Sequence, residues 1–272
     1  RYEQQMYLQS TSEGKRKGFE RLEEDYTYLQ KLKAEKGIDG YFVDQIAGSA
    51  YFDDTGRELQ NGMIPLLFAI LCLGNLFSMD YRNRMDRLLR CTKQGQITLV
   101  ATKFLWGIVI VCILYAAVAV PEWINLHNAY GDLEWKAPLQ SLSIFYDTAL
   151  SIPIGPYVLL SHLIKFLGIC SAASLILFFS VCTKNYFLTI GISSGILLLP
   201  LFLQMQGMDL RFYSYNNLFL LHNTSATQNG VLYTYIHLAI LLLTMGLALF
   251  AVIRLYCGHG RIRIKEKREE SK

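Results

Sequence analysis

The chain has 272 residues, 52% apolar and 18% charged, with a net charge of +4. Its apolar residues are gathered into blocks instead of being spread at the period of a soluble fold, which makes an integral membrane protein the first reading. The basic residues cluster at the ends of those blocks without aromatic interleaving, which argues against nucleic acid, and the six cysteines show neither a Cys-x-x-Cys pair nor a Cys/His spacing suited to a metal.

The sequence starts at Arg1 without a methionine or a signal-peptide pattern, so a piece of a longer chain is expected. Residues 1–61 are polar, with a dense charge run over 15–36. Phe19, Leu22, Tyr26, Leu29 and Leu32 recur there every three or four residues, which predicts an amphipathic helix ending at Gly37. Packing on neighbours explains that stripe better than a ligand site does. Asp44, Asp53 and Asp54 lie in a following turn-rich stretch. They have the chemistry for a cation, although exposed carboxylates are common in turns.

The first apolar run, 62–79, carries no charge and at about 1.5 Å per residue reaches roughly 27 Å, enough to cross a bilayer core. A basic segment follows. From Asp80 to Lys103 it also holds Arg82, Arg84, Arg87, Arg90 and Lys93, against Asp80 and Asp86 alone. Short loops with such an excess stay on the cytoplasmic side. Within it Met85, Leu88, Leu89 and Thr92 fall at i, i+3, i+4 and i+7, Asp86 precedes Arg90 by four, and Gly95 is placed to stop a helix. The pattern predicts an amphipathic helix over 80–96 lying flat under the membrane, its narrow stripe turned to lipid, to the bundle or to another protein.

Residues 100–120 form the second run, which Pro121 is expected to end. Residues 122–156 mix polar residues and turn formers with Trp123, Tyr130, Trp135, Phe145 and Tyr146, rings that favour the headgroup level. The third run covers about 157–182. Thr183, Lys184 and Asn185 leave room only for a tight turn, so it forms a hairpin with the fourth run, 186–204. That run has Gly191 and Gly195 for close helix approach, Ser193 and Ser194 between them, and Pro200 to kink or end it. Residues 205–229 are aromatic and amphipathic, suited to a re-entrant or surface segment, and 231–257 make the last run.

The tail 258–272 holds Arg261, Arg263, Lys265, Lys267 and Arg268, a second inside signal. With five spans, an inside tail puts 80–103 and 183–185 inside and leaves 1–61, 121–156 and 205–230 outside. A sixth span ahead of Arg1 is then expected. Among single residues, His162 and Lys165 stand three apart on one face of the third run. Ionisable groups at membrane depth make these two, with Ser193, the candidates for a substrate path, against snorkelling for Lys165 and helix packing for the other two. Neither serine has a His/Asp partner at its depth for protease chemistry.

The order Asp80, Leu88-Leu89, Thr92, Gly95, Lys103, with the Thr183 to Asn185 turn and Pro200, resembles the membrane permease subunit of type-2 ABC exporters, lacking its first span. That family's Gly-Thr pair is absent at Arg84-Met85, as is its Arg near Gln96. The resemblance covers 62–257. It implies an all-α permease bundle with an extracytoplasmic helical region at 1–61, a coupling helix at 80–96, a re-entrant segment at 205–229 that closes the outer end, and a basic cytoplasmic tail. It also implies docking on an ABC ATPase subunit through Asp80, Arg84, Met85, Arg87, Leu88, Leu89, Arg90 and Thr92, and pairing with a second permease subunit in a homo- or heterodimer.

On that reading the chain is a multi-pass protein of a bacterial plasma membrane and not itself an enzyme. ATP and Mg belong to the partner subunit, for this chain has no Gly-x-x-x-x-Gly-Lys-Ser/Thr loop. The cargo would be a peptide or an amphiphile. The competing expectation is a membrane sensor or scaffold that transports nothing and binds a partner through its outer region.

Overall fold

The computed structural model describes residues 22–52, 55–83, 95–148, 152–206, 208 and 230–269. Among them the fold is all helical. Helix α1 covers 22–36, followed by α2 (Gln45–Phe52), α3 (Thr55–Leu73), α4 (Asn75–Arg82), α5 (Gly95–Tyr130), α6 (Ile154–Thr183), α7 (Tyr186–Met205) and α8 (Gly230–Glu269). Two short 3-10 turns, Leu139–Ser141 and Ser143–Phe145, lie between α5 and α6.

Among the described residues four stretches are long and apolar enough to cross a membrane: Asn61–Arg82, Thr98–Tyr130, Ile154–Thr183 and Tyr235–Leu255. The fourth expected span, 186–204, corresponds to a shorter apolar helix, Tyr186–Pro200. Helix α6 is the axle of the bundle. It packs on α3, α4, α5, α7 and α8, and its buried face carries small residues, Gly168, Ser171, Ala172, Ala173 and Ser174, that let neighbours come close. Leu66, Ile70, Leu73 and Phe77 from α3 and α4 meet Ile169, Ile176 and Leu177 from α6 in the main core. By contrast α5 and α8 show most of their surface, Leu105, Trp106, Ile113, Leu243 and Phe250 among the exposed residues. Surfaces of this composition suit lipid or a protein neighbour.

The membrane core is interrupted once in an informative way. Gly74 separates α3 from α4, and Ser180 of α6 fills the gap. Its hydroxyl donates to Gly74 O (2.9 Å) and accepts from the N–H groups of Phe77 (3.4 Å) and Ser78 (3.3 Å). Backbone groups that leave the helix ladder in lipid need such a substitute. A Cβ on Gly74 would stand 2.7 Å from Ile70 O.

At the other end of the bundle a small cap has its own core: Val43, Ala47, Tyr51 and Phe52 from α2 and its approach, Leu126 of α5, Leu133 to Phe145 from the connection, and Ile154, Tyr157 and Val158 from α6. An antiparallel bridge between Pro138 and Pro153 closes the connection. Helix α1 lies on it, with the Tyr28 hydroxyl donating to Gln140 O (2.6 Å) and the Tyr146 hydroxyl donating to the Glu35 carboxylate. That carboxylate, first, and burial hold the Tyr146 phenol up to about 12, and burial also pushes the Tyr28 phenol up.

Several sequence expectations meet the structure directly. Helix α1 ends at Gly37, whose φ of 67° and N–H to Lys33 O (3.1 Å) form a left-handed C-terminal stop. Lys184 (φ 55°) makes the turn between α6 and α7. Pro121 does not end the second run: α5 continues through it to Tyr130. The bond it forgoes would have gone to Ala117, and both residues lie on the exposed face, away from the packed core. Pro200 likewise sits inside α7. Gly95, expected as a stop, begins α5 instead. Asp44 is a helix cap, its Oδ1 accepting the Ile46 and Ala47 N–H groups at 2.9 and 3.4 Å. Asp53 and Asp54 lie outside the described residues, as does nearly all of 205–229.

Candidate functional site

Two polar assemblies stand at opposite ends of the bundle. At the basic end Asp80 closes α4, and Lys103 lies two turns into α5. Their side chains, 14% and 15% exposed, form an ion pair. Lys103 Nζ also donates to Leu76 O and sits 4.8 Å from the centre of the Phe77 ring. The pair joins the two helices that flank the basic segment. Of the residues expected to couple to an ATPase, Asp80 is thereby placed; Arg84, Met85, Arg87, Leu88, Leu89, Arg90 and Thr92 lie outside the described residues.

At the cap end, a cleft opens between α3, α5 and α6. Its wide part, about 480 Å³, is lined by Arg57 and Asn61 of α3 and by Val118, Pro121, Glu122 and Asn125 of α5, among others. Asn61, Val118 and Glu122 continue into a narrow recess, where Tyr115, His162 and Lys165 meet them. Arg57 Nε donates to Glu122 Oε1 (3.1 Å), and its Nη2 donates to Ala50 O. The Tyr115 hydroxyl lies 2.7 Å from His162 Nδ1. Trp123 packs on the His162 ring from the cap side (6.4 Å between ring centres).

The structure therefore brings His162 and Lys165 together with groups from two other helices. Ser193 is not among the cleft's lining residues. It stands on α7, fully buried, with no hydrogen-bond partner for its hydroxyl among the described residues. Counting from the α6–α7 turn at about 1.5 Å per residue, Ser193 is roughly 12 Å deep and His162 roughly 32 Å. A path through both would run the depth of the bundle. The residues that sequence reasoning missed are Arg57, Asn61, Tyr115 and Glu122. Arg57 and Glu122 are charged groups near the cap-side margins of their apolar runs, a signal visible in the sequence once the runs are aligned by depth.

No group of three His, Cys, Asp or Glu side chains able to hold a metal occurs among the described residues. The sequence matches no family model, and no curated protein or solved structure matches it.

Proposed function

We propose that this membrane protein is the transport subunit of an ATP-driven exporter of the type-2 ABC kind, with ATP bound and hydrolysed, with Mg, by a separate ATPase subunit. The observation that carries the reading is the Asp80–Lys103 pair. It ties α4 to α5 at the two ends of the basic segment 84–94, so a push on that segment is delivered to two membrane helices at once instead of being lost in a slack loop. The basic tail, which belongs to the same side by charge, supports a cytoplasmic location for this end. On this reading Arg84, Arg87 and Arg90 meet the ATPase, while Met85, Leu88, Leu89 and Thr92 seat the segment. Closure of the ATPase on ATP then shifts the bundle between inward and outward access, with a second permease subunit completing the translocation path.

The experiment is co-purification of the chain with its ATPase, followed by ATPase measurement with and without Arg87→Glu and Arg90→Glu. Loss of binding or of coupled activity is the expected result, and equal binding by both forms refutes the docking assignment. A second reading, a sensor or scaffold that transports nothing, is favoured by the exposed Tyr41 and Phe42 rings on the cap. Co-purification without any ATPase would move the case to it.

A further inference from the structure

We infer that the exposed rings of Tyr41 and Phe42 on the cap, with the carboxylates of Asp25 and Asp44 beside them, dock a cationic amphipathic peptide. ATP coupling plays no part in this: a cap that holds such a peptide serves an exporter or a sensor alike.

The backbone under the two rings is fixed. Tyr41 N–H donates to Ser141 Oγ (3.1 Å), and Val43 is buried in the cap core. Gln45 bridges to the connection, its Nε2 donating to Ser141 O (2.9 Å) and its Oε1 accepting from the Ser143 N–H (2.8 Å). On the other side, Gly40 lies so close to α1 that a Cβ there would stand 2.6 Å from Leu29 Cδ2. Between these ties Tyr41 and Phe42 are each 55% exposed, and Ile46 at the start of α2 is 44% exposed. Rings on an already ordered backbone lose little freedom when a partner covers them, which suits them as anchors.

Charge selects the partner. Asp44 stands in the chain between Phe42 and Ile46 and uses Oδ1 to cap α2. Asp25 lies one turn before Leu29 on α1. Burial first, then the nearby Asp44 and Glu24 carboxylates, push its carboxyl up. Like charges gathered in this way are relieved by an incoming cation. The cations of α1 are engaged elsewhere: Lys31 with Glu35, Lys33 with Asp39 and Lys36 with Asp147. Among the described residues neither Asp25 nor Asp44 makes an ion pair. The wider segments carry the same sign. Counting every residue of the sequence, 1–61 and 121–156 each have a net charge of −3, whereas 80–103 has +4.

A purely apolar partner would leave the carboxylates unanswered, an anionic lipid surface would be repelled by them, and a bare cation would leave the rings uncovered. A peptide with one apolar face and a row of Lys or Arg answers both, and its cations also favour aromatic faces.

The test is fluorescence anisotropy of a fluorescein-labelled synthetic peptide of Leu-Lys-Lys-Leu repeats, added to the complete chain in phosphatidylcholine nanodiscs, with empty nanodiscs as the blank. Saturable binding above the blank is expected. Tyr41→Ala together with Phe42→Ala should weaken it about tenfold or more. Asp25→Asn together with Asp44→Asn should weaken it about threefold or more; the amide oxygen introduced at position 44 still accepts the Ile46 N–H, and unchanged thermal unfolding of each variant checks the fold. The inference is overturned if either pair of substitutions binds as the wild type does. It is also overturned if a Leu-Glu-Glu-Leu peptide binds as well, which shows an apolar patch only, or if oligolysine of equal length binds as well, which shows charge only. Binding no greater than to empty nanodiscs overturns it too, whether lipid takes up the peptide or residues 1–21 of the chain already cover the rings.

Discussion

Replacing Lys103 with Met keeps the length of the side chain and removes its charge. The consequence can be worked from the contacts. Lys103 makes an ion pair with Asp80, donates to Leu76 O and covers the Phe77 ring, while only 15% of its side chain and 14% of that of Asp80 is exposed. Breaking a fully buried pair by removing one partner costs about 3–5 kcal/mol, because the remaining charge is stranded. Partial exposure of both groups reduces that to roughly 2–3 kcal/mol here. Asp80→Asn is milder, since the amide oxygen still accepts from Lys103, and is expected to cost about 1 kcal/mol. In the double variant the amide faces an apolar side chain with no stranded charge, so the two costs do not add. A double-mutant cycle read by thermal unfolding in detergent should give a coupling of about 1–2 kcal/mol. Strict additivity, or an Asp80→Asn variant less stable than Lys103→Met, would refute the argument that the pair is a buried tie between α4 and α5.

Other expectations are open to measurement. Ser180→Ala removes the hydroxyl that donates to Gly74 O and accepts from the Phe77 and Ser78 N–H groups; a loss of about 1–3 kcal/mol in thermal unfolding is expected. Gly48→Val drives a side chain into Leu142, whose Cδ2 already stands 2.2 Å from the place of a Cβ. The cap should loosen by about 1–3 kcal/mol and expose α1 to limited proteolysis while the bundle stays intact. For Tyr146 the folded protein favours the protonated phenol, with its pKa raised to about 12. The part of the attachment of α1 that Tyr146 supplies is therefore fully present below the ordinary phenol value and lost as pH rises through about 12; proteolysis of α1 across that range checks it, and Tyr146→Phe should reduce the pH dependence to the part that the raised Tyr28 phenol supplies. Finally, a membrane-impermeant maleimide added to intact cells should label Asp39→Cys and spare Asn83→Cys in a background without other cysteines, and the opposite pattern inverts the bundle.

The apolar runs and their order were readable because burial in lipid leaves a blockwise signature that needs no tertiary knowledge. The stop at Gly37 and the turn at Lys184 were readable because left-handed backbone and tight connections are local. Pro121 misled because its effect depends on which face of α5 it occupies, and the sequence alone does not give that rotation. The break at Gly74 has the same character: a lone glycine in an apolar run is common, and only Ser180 on another helix makes it a defined discontinuity. His162 and Lys165 stand out in the sequence by their chemistry at depth. Their partners do not, because Arg57 and Glu122 are 65 positions apart and meet only through the register of α3 against α5.

The cap has no independent footing. Phe52 touches both Phe145 and Tyr157 (ring centres 5.3 and 5.9 Å apart), and those two rings touch each other at 5.1 Å, so three chain segments share one aromatic knot above the mouth of the bundle. Tyr157 belongs to the opening turn of α6, the helix on which every other membrane element leans. Whatever grips the cap therefore has a hand on the axle, and any turning of the axle is displayed on the cap's surface.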